Sequence, residues 1–531
     1  MSVLAQLSST LGTFVHLLPA LAILLPILAA TVPLALTLRW HRTGWSVAVV
    51  ACTALFAMTI ALAAFVYTEG RVIHELGGFP RPIGIELVAD ELSTLIALLV
   101  TGTALGVLAY TRRGGPRGAT FYSAYLLLVG GLLGVTLTGD AFNMFVFLEI
   151  TGIATYALVA KGRGAESAVA SLKYLILGTV GASLYLVGVG FLFLATGTLN
   201  MIDLSTAIPE TAGYDNTLVQ FAFAFVFVGF AIKVAQWPLH TWQPDAYQHA
   251  PDGVTPLIAA LVSTVSAYAL ARIVFDVFTV DFLAAIPETS WIVVTVGSVS
   301  VLAGSALAVI QQDVKRMLAY SSVSQFGLVI AAYGLVNDTA LLGAFVHLVG
   351  HGLMKAGLFV AAAAIAIGYG ARTVDEYAGL AKRAPVAAGA MAALGIALIG
   401  IPPSIGFIGK WFIALGAVEA GAWPVAVVIF LSTMLTLAYV ARLLEKMYFS
   451  PAPSITPGGA PGAVVADGGV EGRGSPDGGV ETATDPTVDP SRISIGMIGL
   501  AVVAAVLSIA LGFAGAEFEL LLGEFVEEVF S

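Results

Sequence analysis

The apolar positions of this chain neither alternate nor keep to one helical face. They come in long runs separated by short polar stretches. Runs near 20 residues recur along nearly the whole length, each enough to cross roughly 30 Å of hydrocarbon as a helix. A transmembrane β-barrel would show short alternating segments instead. The pattern predicts an all-α polytopic membrane protein. Spans are expected at 17–38, 44–66, 88–110, 119–138, 141–160, 170–196, 217–242, 253–275, 290–310, 317–336, 339–368, 384–416, 423–448 and 493–513, about 14 in all.

Two of these runs contain breaks. In "FAFAFVFVGFAIKVAQWPLHTW", Phe221 to Trp242, Lys233 follows an oily segment and Pro238 follows the lysine. Proline removes a backbone donor and interrupts a helix. In "GIPPSIGFIGKWFIALG" a second break precedes Lys410. Helices 7 and 12 are therefore expected to be discontinuous, as in secondary transporters, where such breaks lie on ion paths. The two lysines also hint at an internal repeat.

The polar loops give an orientation. Arg39, Arg42, Arg112, Arg113, Arg117, Lys161, Arg163, Lys173, Lys315, Arg316, Arg372, Lys382, Arg383, Arg442 and Lys446 follow odd-numbered spans. The alternate loops lean acidic, which puts the odd exits in the cytoplasm and both termini outside. Loop 7–8 is the exception, with acids and histidines but no Lys or Arg. The opening residues lack a basic n-region and read as a first span, not a cleaved signal peptide.

Residues 450–492 are rich in Gly, Pro, Asp and Thr, with "DGGVE" occurring twice, and are expected to be a flexible cytoplasmic linker. The expected organisation is helices 1–3 over 1–118, helices 4–8 over 119–275, helices 9–13 over 290–448, the linker, and helix 14 with an acidic amphipathic tail over 493–531.

Composition narrows the chemistry. Only 11% of residues are charged, against about 25% in soluble chains. Cys52 is a single cysteine with no disulfide partner, and no phosphate loop or Cys/His cluster appears in the polar segments. No cofactor, metal or nucleic acid is expected.

Against that apolar background a few ionisable residues stand out. A lysine at mid-bilayer costs roughly 2.5–3.5 kcal/mol, so buried ones are expected to be used. Glu149, in "NMFVFLEITGIATYALV", is the natural counter-charge for Lys233. Proton transfer and a static pair that fixes helix packing both fit these two residues. His347, His351 and Lys355 are spaced four apart and share one helix face. That face suits proton relay. Plain packing and a zinc site are its rivals, although no third ligand is visible and Lys355 would repel a cation. His240 and Asp245, near a cytoplasmic mouth, are candidates for admitting protons. Lys315 and Arg316 read most simply as topology anchors.

Five segments carry a family resemblance: "DAFNMFVFLEITGIATYALVA", "SLKYLILGTVGASLYLVGVGFLFLATGTLNM", "FAIKVAQWPLHTWQPDAY", "DVKRMLAYSSVSQFG" and "GIPPSIGFIGKWF". They resemble the antiporter-like membrane subunits, a family that joins the D-type subunits of Mrp-type multisubunit Na⁺/H⁺ antiporters to the L, M and N subunits of respiratory complex I. The wording is nearest the D branch, with the N branch next. The resemblance implies 14 helices, two inverted five-helix repeats and a proton path along the membrane midplane. It also implies proton-transfer roles for Glu149, Lys233, His347, His351, Lys355 and Lys410.

One position departs from the family pattern. Helix 8 usually carries a lysine or histidine, and here the aligned residue is Thr264. Either Ser263, Thr264, Ser266 and waters bridge the gap, or the relay is altered.

The expected function is a proton-translocating subunit of a cation/proton antiporter complex in the cell membrane. Its expected partners are H⁺, Na⁺, lipid and other subunits. The rival readings are a pump subunit of a redox complex, a transporter coupled to another solute such as inorganic carbon, and a non-conducting scaffold.

Overall fold

The computed structural model describes residues 2–37, 43–451 and 493–531, with side chains from residue 15 onward. Apart from its first two residues, the expected linker at 450–492 lies outside the described residues.

Long apolar runs dictate helices, because only an α-helix satisfies every backbone group within its own segment in hydrocarbon. Ten described helices are long and apolar enough to cross a membrane, or eleven if one bent pair counts as a single span. The count of about 14 also included segments that fall short of this measure for physical reasons. Thr217–Lys233 and Pro385–Ile399 each stop at a break. Val314–Gly334 carries Ser321, Ser322, Ser324 and Gln325, yet is buried almost all round, so its polar groups meet protein and not lipid.

Each expected repeat contains one very long helix packed on a lysine-bearing half-helix. Ala165–Thr196 lies against Thr217–Lys233, and Asp338–Tyr369 lies against Ile405–Glu419. Glycine permits both contacts. A Cβ on Gly229 would sit 2.6 Å from the Gly181 carbonyl oxygen, and one on Gly409 would sit 2.6 Å from the His347 Cβ. Backbones meet closely where small residues face each other, which is how apolar helices associate without a hydrophobic driving force.

The first break comes earlier than proline predicts. The helix ends at Lys233, five positions before Pro238, because Ala235 adopts a left-handed conformation at φ 56°. An L-residue there costs on the order of 1–2 kcal/mol. The freed groups find partners. Gln236 N donates to the Ala231 carbonyl at 2.8 Å, Trp242 Nε1 donates to the Ile232 carbonyl at 2.8 Å, and Trp237 N donates to Ser300 Oγ at 3.1 Å. The chain turns through 236–241 and resumes as the helix Trp242–His249. The second break falls at 400–404, where Ser404 caps the helix that carries Lys410.

Two features depart from regular α-helix. Val72–Glu75 pairs antiparallel with Glu86–Ala89, in the register Val72 to Ala89. The segment Thr255–Ala285 contains π-helical turns at Ile258–Val262 and Val274–Phe278. At the C-terminal end, Gly515–Phe530 forms a helix bent 84° from Ile495–Ala510.

Candidate functional site

Lys233 closes its half-helix at the first break and is 9% exposed. A cavity of about 20 Å³, room for one water, lies beside it. Leu148, Thr151, Tyr156, Tyr174, Trp242 and Ser266 line it together with Lys233. Among the described residues the ammonium has no hydrogen-bond or ion-pair partner. Trp242 and Tyr174 stack at 3.9 Å over this region.

Glu149 sits one residue from the cavity wall but is only partly buried. The expected pair with Lys233 is not a contact: among the described residues Glu149 has no ion-pair partner within 4.0 Å. Its helix position sets this, since Leu148 and Thr151 line the cavity and Glu149 lies about 100° round the helix from Leu148, on the side away from Thr151.

The helix Thr255–Ala285 supplies the next polar groups. Ser263 Oγ accepts from Gln243 Nε2 at 3.1 Å, and Ser266 Oγ donates to the Val262 carbonyl at 2.9 Å. Thr264 Oγ1 is fully buried and has no partner among the described residues.

The face at 347–355 is buried throughout. His347 Nε2 lies 2.9 Å from Gln325 Oε1, which makes Nε2 the donor and leaves Nδ1 free to accept. The His351 ring packs edge-on against Phe326, with both ring nitrogens unpartnered among the described residues. The two imidazole centroids are 6.4 Å apart. Lys355 donates to the Leu318 carbonyl at 2.7 Å and to Ser321 Oγ. Lys410 donates to the carbonyls of Leu398 and Ile399 at 2.9 and 3.0 Å. These are the orphan acceptors at the end of the preceding half-helix, where the helix dipole favours a cation.

The remaining candidates are placed less freely. His240 is buried with its ring against Tyr320, and its Nδ1 has no partner among the described residues. Asp245 is held between Lys173 at 2.7 Å and Arg316 at 2.8 Å. Among the described residues no three His, Cys, Asp or Glu side chains gather as a metal site.

Sequence reasoning missed several polar partners. Lys315, read as an anchor, is buried and donates to the Ala250 carbonyl at 2.9 Å and to Asp252 at 3.2 Å. Arg372 reaches the same carboxylate at 3.0 Å. Ser321 and Gln325 sit four residues apart in "SSVSQFG", and nothing in the sequence names their partners.

Known proteins resemble this chain in sequence and fold. Residues 138–436 match the family described as NADH:quinone oxidoreductase/Mrp antiporter, TM. The chain is 39% identical to the N-type subunit of the NADH-quinone oxidoreductase of Desulforudis audaxviator, covering 82% of this chain and 87% of that protein. It is 31% identical to the D-type subunit of the Na⁺/H⁺ antiporter of Bacillus subtilis, covering 81% and 86%. A chain in the Mrp complex from Dietzia superposes with a TM-score of 0.84 at 28% identity, covering 98% of each.

Proposed function

Because the chain belongs to the NADH:quinone oxidoreductase/Mrp antiporter family of multi-pass membrane subunits, we propose that it is the proton-translocating subunit of a multisubunit cation/proton antiporter, with Na⁺ as the exchanged cation. It works as one part of a larger assembly, in the cell membrane, with its basic loops in the cytoplasm and both termini outside.

One contrast carries the reading. Lys233, Lys355 and Lys410 are buried, and among the described residues none has a carboxylate within 4.0 Å. Lys315 is buried too, but it holds Asp252. A lysine kept for packing is expected to bring its counter-ion, because an unpaired buried charge is strongly unfavourable. Amines bound only to carbonyls, a hydroxyl or a wet cavity are suited to exist both charged and neutral, and so to pass a proton.

In this mechanism a proton reaches Lys233 through the cavity beside it. The distance of Glu149 from Lys233 sets how tightly the amine holds that proton. Loss from Lys233 passes charge through water at Ser263, Thr264 and Ser266 to the face of Lys355, His351 and His347. Lys410 receives it beside the second break. His240 and Asp245 flank the cytoplasmic approach.

The 39% identity to a quinone oxidoreductase subunit favours one second reading, the same relay driven by redox partners. Purifying the chain with its native partners separates the two. Small antiporter subunits without flavin or iron–sulfur proteins are expected, and co-purifying redox subunits would favour the second reading instead.

A further inference from the structure

Arg272 lies toward the end of Thr255–Ala285 that faces away from the basic loops. Its guanidinium meets Asp90 at 2.8 Å and Asp276 at 2.7 Å. Asp90 is fully buried and caps the helix Glu91–Gly114, with Oδ1 accepting from Ser93 N at 2.9 Å. One cation against two carboxylates leaves the cluster one negative charge in excess. Asp90 and Arg272 alone would tie the two helices together, so the second carboxylate is surplus to a structural tie.

That surplus group has access to water. Asp276 is 22% exposed and lines a cavity of about 370 Å³, with space for several waters. Arg71, Ser205, Thr279, Phe525 and Glu528 also line it. The charged groups around Asp276 are Arg272, Asp90, Arg71 and Glu528, and Asp281 lines the same cavity. Arg71 and Glu528 neutralise each other at 2.6 Å. The helix Gly515–Phe530 roofs the cavity and lays Phe525 5.5 Å from the Arg272 guanidinium.

The cluster also connects inward. Thr264, Tyr268, Arg272 and Asp276 follow one another at four-residue spacing, so they share a helix face. Thr264, whose hydroxyl has no partner among the described residues, starts this face and the cavity ends it, while Ser266, on the opposite face of the same helix, borders the Lys233 cavity. The helix that carries Asp276 therefore touches the Lys233 cavity on one face and the larger cavity on the other.

We propose that Asp276, held by Arg272 and open to this cavity, is a proton-release site on the outer face for the half of the chain that carries Lys233. This rests on the reading of Lys233 as a proton carrier. The Asp276 carboxylate takes a proton from relay water and becomes the neutral acid. Arg272 stays charged and leans on Asp90. The acid then gives the proton to cavity water and the Arg272–Asp276 pair re-forms. No electron moves, and each proton taken up is released.

The test uses right-side-out vesicles carrying the assembled complex, with Na⁺-driven proton flux as the readout. Asp276→Asn is expected to lower flux at least tenfold and to flatten its dependence on external pH, and Asp276→Glu is expected to restore both. Assembled Asp276→Asn complex with flux within twofold of the parent overturns the proposal. If Asp276→Asn does not assemble, Ser205→Cys decides, since Ser205 lines the cavity without joining the cluster. A membrane-impermeant cationic thiol reagent added outside is expected to cut its flux at least fivefold. Full labelling with unchanged flux overturns the proposal. Lys233→Ala separates the two levels. Full flux in that variant removes the parent reading, whereas lost flux there with normal Asp276→Asn flux removes only the release site.

Discussion

The Asp252 carboxylate meets the Lys315 ammonium at 3.2 Å, joining the loop after the first broken helix to a helix of the second half. Arg372 closes the group from a third segment, and Val314 N donates to the Arg372 carbonyl at 2.9 Å beside it. This is what a structural lysine looks like in this protein, and it sets the standard against which Lys233, Lys355 and Lys410 are judged.

Removing that anion should destabilise the fold. Asp252→Ala leaves Lys315 buried and unpaired, a loss of roughly 3 kcal/mol. Arg372 is half exposed, so Arg372→Ala should cost less than about 1 kcal/mol. Apparent melting temperatures of the purified complex check the order, and equal losses would contradict it. Burial pushes the Asp252 carboxyl up, but Lys315 and then Arg372 outweigh this and hold it below the ordinary carboxylate value. Its contribution is therefore fully present above about pH 4, the unfolded value, and is lost as pH falls through the lower folded value. The melting temperature of Asp252→Ala should accordingly approach that of the parent only in strong acid.

Gln325 fixes which nitrogen of His347 carries the proton. Gln325→Leu removes the acceptor for Nε2 while keeping the side chain's bulk. A buried donor left without a partner costs about 1–3 kcal/mol. Exchange should fall roughly tenfold while the complex still assembles, and Gln325→Glu should change the pH profile as well as the rate. Transport rates and pH profiles in vesicles check this. An unchanged rate in Gln325→Leu would show that the His347 tautomer does not matter.

Thr264→Val separates function from packing. The hydroxyl is buried and unpartnered among the described residues, so the valine variant should be as stable as the parent or slightly more so. If water at Thr264 links the two halves, exchange should nevertheless drop severalfold. Equal melting temperature with equal exchange would remove Thr264 from the path.

Much of this site is legible in the sequence because hydrocarbon is an unforgiving solvent. A lysine among Phe and Val stands out, and "GIPPS" announces a break without any structure. Four-residue spacing puts His347, His351 and Lys355 on one face. What stays hidden is pairing across the fold. Nothing local ties Lys315 to Asp252 or Arg272 to Asp90, and the expected span 317–336 does not say that the polar groups of "SSVSQFG" are buried against protein. Helix phase also escaped the reading of Glu149. Its neighbours Leu148 and Thr151 face the cavity, while its own carboxylate stops short of contact with Lys233. The first break shows the same limit: proline marks the region, but Ala235 sets where the helix ends.

The central proposal is that the buried amines without a carboxylate partner among the described residues move protons in exchange for cations. Na⁺-driven proton movement in everted vesicles, with no electron donor present, tests this most directly when the parent complex is compared with Lys233→Ala. Adding NaCl should give a clear pH change in the parent and almost none in the variant, with equal amounts of assembled complex. An undiminished pH change in Lys233→Ala would contradict it.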